Sequence, residues 1–224
     1  MTAERDRITS MIHSEDPFQG YTPEYDEDLQ GWNSDSLAFD KAFERTGPKT
    51  IIDVGVWKGG STLALARRLR DQAIDGVVIA VDTFLGSSEH WIPHQFGDYR
   101  KDLRIRHGSP QLYWQFLSNV AHAGMQDYIL PFQQTSSNAA DILSELSITA
   151  DLIHIDAGHD EKSVTDDMER YWPILKIQGT MVIDDYCDEW PSVVAAVDKF
   201  ASSRRCSIET INPKSIIIKN QINL

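Results

Sequence analysis

The 224-residue chain has only two cysteines, Cys187 and Cys206, too few for a disulfide framework and without the spacing of a zinc site. Basic residues are scarce. Against 34 Asp and Glu stand 21 Lys and Arg, for a net charge of -13. A nucleic-acid partner, whose phosphates need neutralising, is therefore not expected. No apolar run approaches the ~20 residues of a membrane span, so no membrane partner is expected. The opening residues Met1-Thr-Ala-Glu-Arg-Asp carry no apolar signal core. With so little cysteine, a reducing cytoplasm is the expected location. Internal repeats and low-complexity tracts are absent. What remains is ordinary: 41% hydrophobic and 25% charged residues, in a length that suits one α/β domain with a substantial core.

The informative stretch is Thr50-Ile-Ile-Asp-Val-Gly-Val-Trp-Lys-Gly-Gly-Ser-Thr62. Ile51 to Val54 reads as a buried strand, and Gly55 to Gly60 as a glycine-rich turn. Thr62, Leu65, Ala66 and Leu69 then fall on one face of a helix. Strand, glycine turn and helix form the first half of a nucleotide-binding βαβ unit. The turn is not the dinucleotide pattern G-x-G-x-x-G. Asp53 at the mouth of the strand would repel a pyrophosphate. It suits a ligand with an ammonium group near Asp53 and a carboxylate on the loop amides, as S-adenosylmethionine has. Here the chain resembles the class I S-adenosylmethionine-dependent methyltransferases, whose first motif is an acid followed by G-x-x-x-G. Carried onto this sequence, the cofactor residues are Asp53, Gly55, Trp57, Gly59, Gly60 and Ser61.

A second strand, Gly76 to Val81, ends at Asp82, 22 residues after Gly60. A carboxylate there can accept hydrogen bonds from both ribose hydroxyls, or it can cap a turn. The loop that follows is long, which hints at function. In it His90, Trp91 and His94 could meet a substrate, or Trp91 could pin the loop down. A third strand, Tyr128 to Phe132, leads into Thr135, Ser136 and Ser137, where the resemblance implies the adenine and a plain helix cap is the alternative.

Asp151 to Asp156 is a fourth strand and Gly179 to Asp185 a fifth, so Asp156, Asp184 and Asp185 end adjacent strands. Three crowded carboxylates call for pairing or for a hard dication, Mg²⁺ before Mn²⁺ or Ca²⁺. Ile155-Asp-Ala-Gly-His159 together with Gly179-x-x-x-x-Asp184-Asp185-Tyr186 is similar to the metal-dependent macrocin-type sugar O-methyltransferases and the cephalosporin-hydroxylase-like proteins. That resemblance covers about residues 50–186 and implies that Asp156, Asp184 and Asp185 hold the metal. His159 could take the proton from a substrate hydroxyl, with Asp156 beside it. Asp160 reads as a helix cap and His154 as a core histidine.

Two further runs, Ile208 to Ile211 and Ser215 to Ile218, flank Asn212-Pro213-Lys214 as a closing hairpin. The expected fold is α/β: a doubly wound, mostly parallel seven-stranded sheet, Rossmann-like, with an antiparallel C-terminal hairpin strand. Residues 1–47 read as a helical N-terminal extension that could act as a lid, and 48–224 as the methyltransferase domain. The expected activity is metal-dependent O-methylation of a small hydroxylated acceptor, a sugar unit or secondary metabolite. A hydroxylase-like or hydrolytic metalloenzyme, or a non-catalytic S-adenosylmethionine-binding module, would use the same residues. The sequence leaves a homo-oligomer open.

Overall fold

Five residues of strand β1 (Thr50–Val54) are all buried, with no alternation, because helices cover the sheet on both faces. The computed structural model describes residues 1–32, 34–93 and 97–220. In chain order the elements are α1 (Ala3–Ile12), α2 (Leu37–Thr46), β1, α3 (Gly60–Asp71), β2 (Val77–Asp82), α4 (Ser88–Trp91) and α5 (Leu112–His122). There follow β3 (Ile129–Gln133), α6 (Ser136–Glu145), β4 (Ala150–Ile155), α7 (Glu161–Tyr171) and β5 (Leu175–Ile183). The chain closes with α8 (Pro191–Ser203), β6 (Ile208–Ile211) and β7 (Lys214–Ile218).

The seven strands lie in the order β3-β2-β1-β4-β5-β7-β6. All neighbours are parallel except β5–β7 and β6–β7. The expected doubly wound sheet with a C-terminal hairpin is what forms. Strand order reverses between β1 and β4, so the crevice for a ligand opens at their carboxyl ends. In register, Asp53 lies opposite Ala80 on one side and His154 on the other. The fifth strand starts earlier than its apolar run suggests, at Leu175, and the pairing with β4 shifts register between Ala150 and Leu152.

The core is two apolar clusters, one per face of the sheet. Residues 1–47 contribute to both. Ile8 of α1 joins Ile52, Val54 and Leu130, while Phe39 and Phe43 of α2 join Ile51, Leu152 and Val182. Each such side chain contributes roughly 1.5–3 kcal/mol by leaving water, so these two helices are integral to the sheet's cover. Their ends are specified locally. Thr2 caps α1 and Ser36 caps α2, each accepting a backbone N–H, and Gly47 closes α2 at φ 50. Arg5, fully buried, ties α1 to the sheet: it donates to the Ile129 carbonyl at 3.0 Å and to both oxygens of Asp16 at 2.9 and 2.8 Å. Between the two helices the chain runs as a strap over α5. The Tyr21 hydroxyl meets Ser118, and Lys58 donates to Asp28 and Gln30 at 2.8 and 2.6 Å. No helix among the described residues is long and apolar enough to cross a membrane.

Candidate active site

A cavity of about 610 Å³ opens at the carboxyl ends of β1 and β4. One wall holds Trp57, Asp82, Thr135 and Ser136; the other holds Asp156, His159, Asp184 and Asp185. Trp32 from the N-terminal strap and Tyr99 from the loop after β2 sit at its rim.

On the first wall the main chain does most of the holding. Gly55 has φ 83, and a Cβ there would fall 2.0 Å from the Asp156 carbonyl oxygen. Only glycine lets the loop pass that close to the end of β4. Asp82 accepts three backbone N–H groups, from Val56 at 3.0 Å, Trp57 at 2.9 Å and Phe84 at 2.7 Å. Its carboxylate thus fastens the glycine loop to β2, while its cavity face keeps room for one further donor. Burial pushes its carboxyl up, against the pull of those amides. Trp57, at φ 50, stacks on His90 with ring centroids 4.0 Å apart. Its indole Nε1 is buried and has no partner among the described residues.

Asp53 is not where the sequence suggested. Its carboxylate is fully buried and turned into the protein. One oxygen accepts the hydroxyls of Ser61 and Thr62 at 2.9 and 2.6 Å; the other meets His154 Nδ1 at 2.7 Å. Burial makes hydroxyl and imidazole donors the better partners, so it reaches no ligand ammonium in the cavity. Ser61 is consumed in the same contact and does not line the cavity. Nor do Gly59 and Gly60. A Cβ on Gly59 would strike the Phe116 ring at 2.9 Å, and one on Gly60 would strike Ser34 at 2.7 Å. These glycines serve the packing of the loop against α5 and the strap.

Thr135 and Ser136 line the cavity and Ser137 does not. Thr135 is the N-cap of α6, accepting from the Asn138 amide, and Ser136 donates to Asp167. Burial lifts the Asp167 carboxyl to about 6, with the Ser136 hydroxyl pulling the other way. In the loop after β2, His90 lines the cavity, whereas Trp91 donates its indole N–H to the Leu85 carbonyl at 2.9 Å and so pins the loop. His94 lies outside the described residues. Gln134 and Glu89 also line the cavity. Neither carried a sequence signal beyond its place next to a predicted strand end or in the long loop.

The second wall is crowded with charge. Asp156 is lifted to about 7, first by burial and then by the nearby Asp184 carboxylate. His159 stacks on Trp190 at 4.2 Å, and its Nε2 lies 2.9 Å from Asp185 Oδ2. Burial would lower its pKa, but Asp185, Asp156 and Glu89 together raise it to about 9. At neutral pH, with no added cation, His159 is therefore an imidazolium and not a free base. Asp160 caps α7, as expected, accepting from Ser163. Asp184 is paired with Lys214 of β7, which is itself fully buried. Although burial works the other way, His154 and Lys214 hold its carboxyl down at about 2. The three acids expected to share one ion thus fall into two overlapping groups. Ligand atoms of Asp156, His159 and Asp185 lie within 4.8 Å of one another, and so do those of His154, Asp156 and Asp184.

A family model described as a methyltransferase domain matches residues 52–186. None of the curated proteins matches the sequence significantly. Among solved structures the fold is similar to that of the O-methyltransferase NovP, at 19% identity over 82% of this chain and 80% of that one, TM-score 0.58. It is also similar to CalS11, a TDP-rhamnose 3'-O-methyltransferase of calicheamicin biosynthesis, at 16% identity over 83% and 79%, TM-score 0.54. A Bacillus cereus O-methyltransferase solved in complex with SAH matches at 16% identity over 96% and 88%, TM-score 0.57. At these identities the likeness is one of fold.

Proposed function

The chain belongs to the methyltransferase-domain family, and from that premise we propose that it moves a methyl group from S-adenosylmethionine to a hydroxyl of a small molecule, beside a bound divalent cation. The observation that carries this reading is one cavity with two unlike walls: a main-chain-braced loop with a strand-end carboxylate, facing a cluster of acids and an imidazole. The first wall fits the donor. Asp82 has one accepting position left for a ribose hydroxyl, and the hydroxyls of Thr135 and Ser136 on the same wall suit the adenine. The second wall fits a cation, since Asp156, His159 and Asp185 bring two oxygen donors and one nitrogen donor close together.

The acceptor would be neutral or cationic. No Lys or Arg lines the cavity among the described residues, so a diphosphate such as that of TDP-rhamnose has no counter-charge. Trp32, Tyr99 and Trp190 instead offer ring faces, which suit a sugar unit or a flat secondary metabolite.

S-adenosylmethionine supplies a methyl group on a good leaving group, and a divalent cation supplies positive charge that makes a neighbouring hydroxyl more acidic. The residues of this chain do the rest. Asp82 and the glycine loop it braces fix the donor's position; the aromatic rim excludes water and orients the acceptor. Asp156 receives the hydroxyl proton, with the His159–Asp185 pair holding the charge beside it.

Mass spectrometry of the purified protein tests the reading. Co-purified S-adenosylhomocysteine, or calorimetric binding of it that Asp82→Ala weakens, is expected. A protein that neither carries nor binds it overturns the proposal. Methyl transfer should also fall in excess EDTA and recover with Mg²⁺.

A further inference from the structure

Resting on that reading, we infer that Asp184 is a positioning residue and not a ligand of the cation, which is held instead by Asp156, His159 and Asp185. A buried chain of acidic and basic side chains runs across four strands: Asp53 on β1, His154 on β4, Asp184 after β5 and Lys214 on β7. All four side chains are at most 5% exposed. Asp53 and His154 are register partners, 2.7 Å apart through Oδ1 and Nδ1. His154 Nε2 faces Asp184 Oδ2 at 3.7 Å and has no hydrogen-bond partner. Ile183 pairs with Ser215 in the antiparallel ladder. The next residues outward, Asp184 and Lys214, therefore meet, and they form a close ion pair. Phe39 of α2 seals the chain: its ring sits edge-on to His154 at 5.0 Å, with Lys214 Nζ 5.4 Å away.

Each oxygen of Asp184 already holds a partner. Oδ2 takes Lys214; Oδ1 accepts the backbone N–H of Asp185 at 2.8 Å. A dication approaching Oδ2 would also meet the ammonium of Lys214, fixed with no water to screen it. The second contact gives Asp184 its task. Asp185 has φ 55, a left-handed backbone that a non-glycine residue adopts only when something holds it there. The Asp184 carboxylate holds that N–H. The resulting turn aims the Asp185 carboxylate at His159 Nε2, 2.9 Å away. At its other end, Asp53 grips Ser61 and Thr62 at the start of α3. One buried chain therefore braces both the glycine loop and the cation-facing turn.

Mn²⁺ alone, followed by electron paramagnetic resonance, is the probe. The wild type should show coupling to a histidine ¹⁴N, and His159→Gln should abolish it. Asp185→Asn should weaken Mn²⁺ binding about tenfold or more. The pair variant Asp184→Asn with Lys214→Met removes both charges yet keeps an oxygen for the Asp185 N–H. Because that outer contact survives, it should bind Mn²⁺ within about tenfold of wild type, short of the ~10–100-fold that losing an outer partner costs. The inference is overturned if the wild type binds no Mn²⁺ or shows no ¹⁴N coupling. A signal that persists in His159→Gln also overturns it, as does a pair variant that folds by circular dichroism and loses tenfold or more. Should the pair variant not fold, the wild-type and His159→Gln spectra still decide. Calorimetry with S-adenosylhomocysteine on the same samples reports separately on the methyl-transfer reading: binding retained while the ¹⁴N or pair-variant result fails sinks only this inference, whereas a wild type that binds no Mn²⁺ also removes the cation from that reading.

Discussion

The two walls of the cavity use the same residue for different ends. Asp82 on the first wall is steadied by three main-chain amides. Asp156, on the second, is lifted to about 7 by burial first and then by the carboxylates beside it. Amides are neutral donors whose positions the fold fixes, so a carboxylate that they hold stays in one place. Carboxylates held by other charges answer to every proton or cation that arrives. The first wall fixes its carboxylate by geometry, and the second leaves its acids responsive to charge.

The largest expected effect lies on the charged wall. Asp156→Asn should lower methyl transfer about a hundredfold to ten-thousandfold, the usual span for a lost proton acceptor. Affinity for S-adenosylhomocysteine should hold, measured on whichever hydroxylated acceptor the wild type turns over. A loss confined to cofactor affinity would erase the distinction between the walls. Next comes the buried pair beneath that wall. Lys214→Met leaves Asp184 buried without its partner and should cost about 3–5 kcal/mol in urea unfolding. Adding Asp184→Asn should return much of it. On the main-chain wall, Asp82→Ala removes one charge-assisted bond to the donor, about 1.5–3 kcal/mol. S-adenosylhomocysteine affinity should then fall about tenfold or more, read by calorimetry.

The smallest effect sharpens the comparison. Asp167 lies beneath Ser136 of the first wall and accepts that residue's hydroxyl. Burial takes its carboxyl from the ordinary 3.8 to about 6. The folded protein thus binds more protons than the unfolded chain between those values, so Asp167 lowers stability as pH rises through that window. Asp167→Asn should match wild type in thermal unfolding at pH 4 and exceed it at pH 8. Equal melting temperatures at pH 8 would show that one hydroxyl suffices where Asp82 uses three amides.

Asp53 and Asp82 mark how far the sequence could be read. Both follow apolar runs, and both were expected at the cavity. Asp82 is there. Asp53 turns inward, because Ser61, Thr62 and His154 arrive from α3 and β4 to claim it. The strand ends carrying Asp156, Asp184 and Asp185 were legible from apolar runs that break at an acid. The partner of Asp184 was not, since Lys214 is 30 residues on and sits in what read as a turn. Likewise the first 47 residues read as an extension, yet α1 and α2 each complete a face of the core. Their apolar stripes were visible; the surfaces they cover come from other parts of the chain.

By itself the sequence determined what depends on near neighbours: the alternation of buried strands and amphipathic helices, the glycine turn, the caps, and the arrival of acids at strand ends. Those follow from side-chain periodicity and local backbone sterics, which act over a few residues. Tertiary structure alone decided which acids face the cavity and which turn to buried partners such as His154 and Lys214. That choice rests on Coulomb and hydrogen-bond partners brought together from distant strands, in an interior where an unpaired charge is too costly to leave.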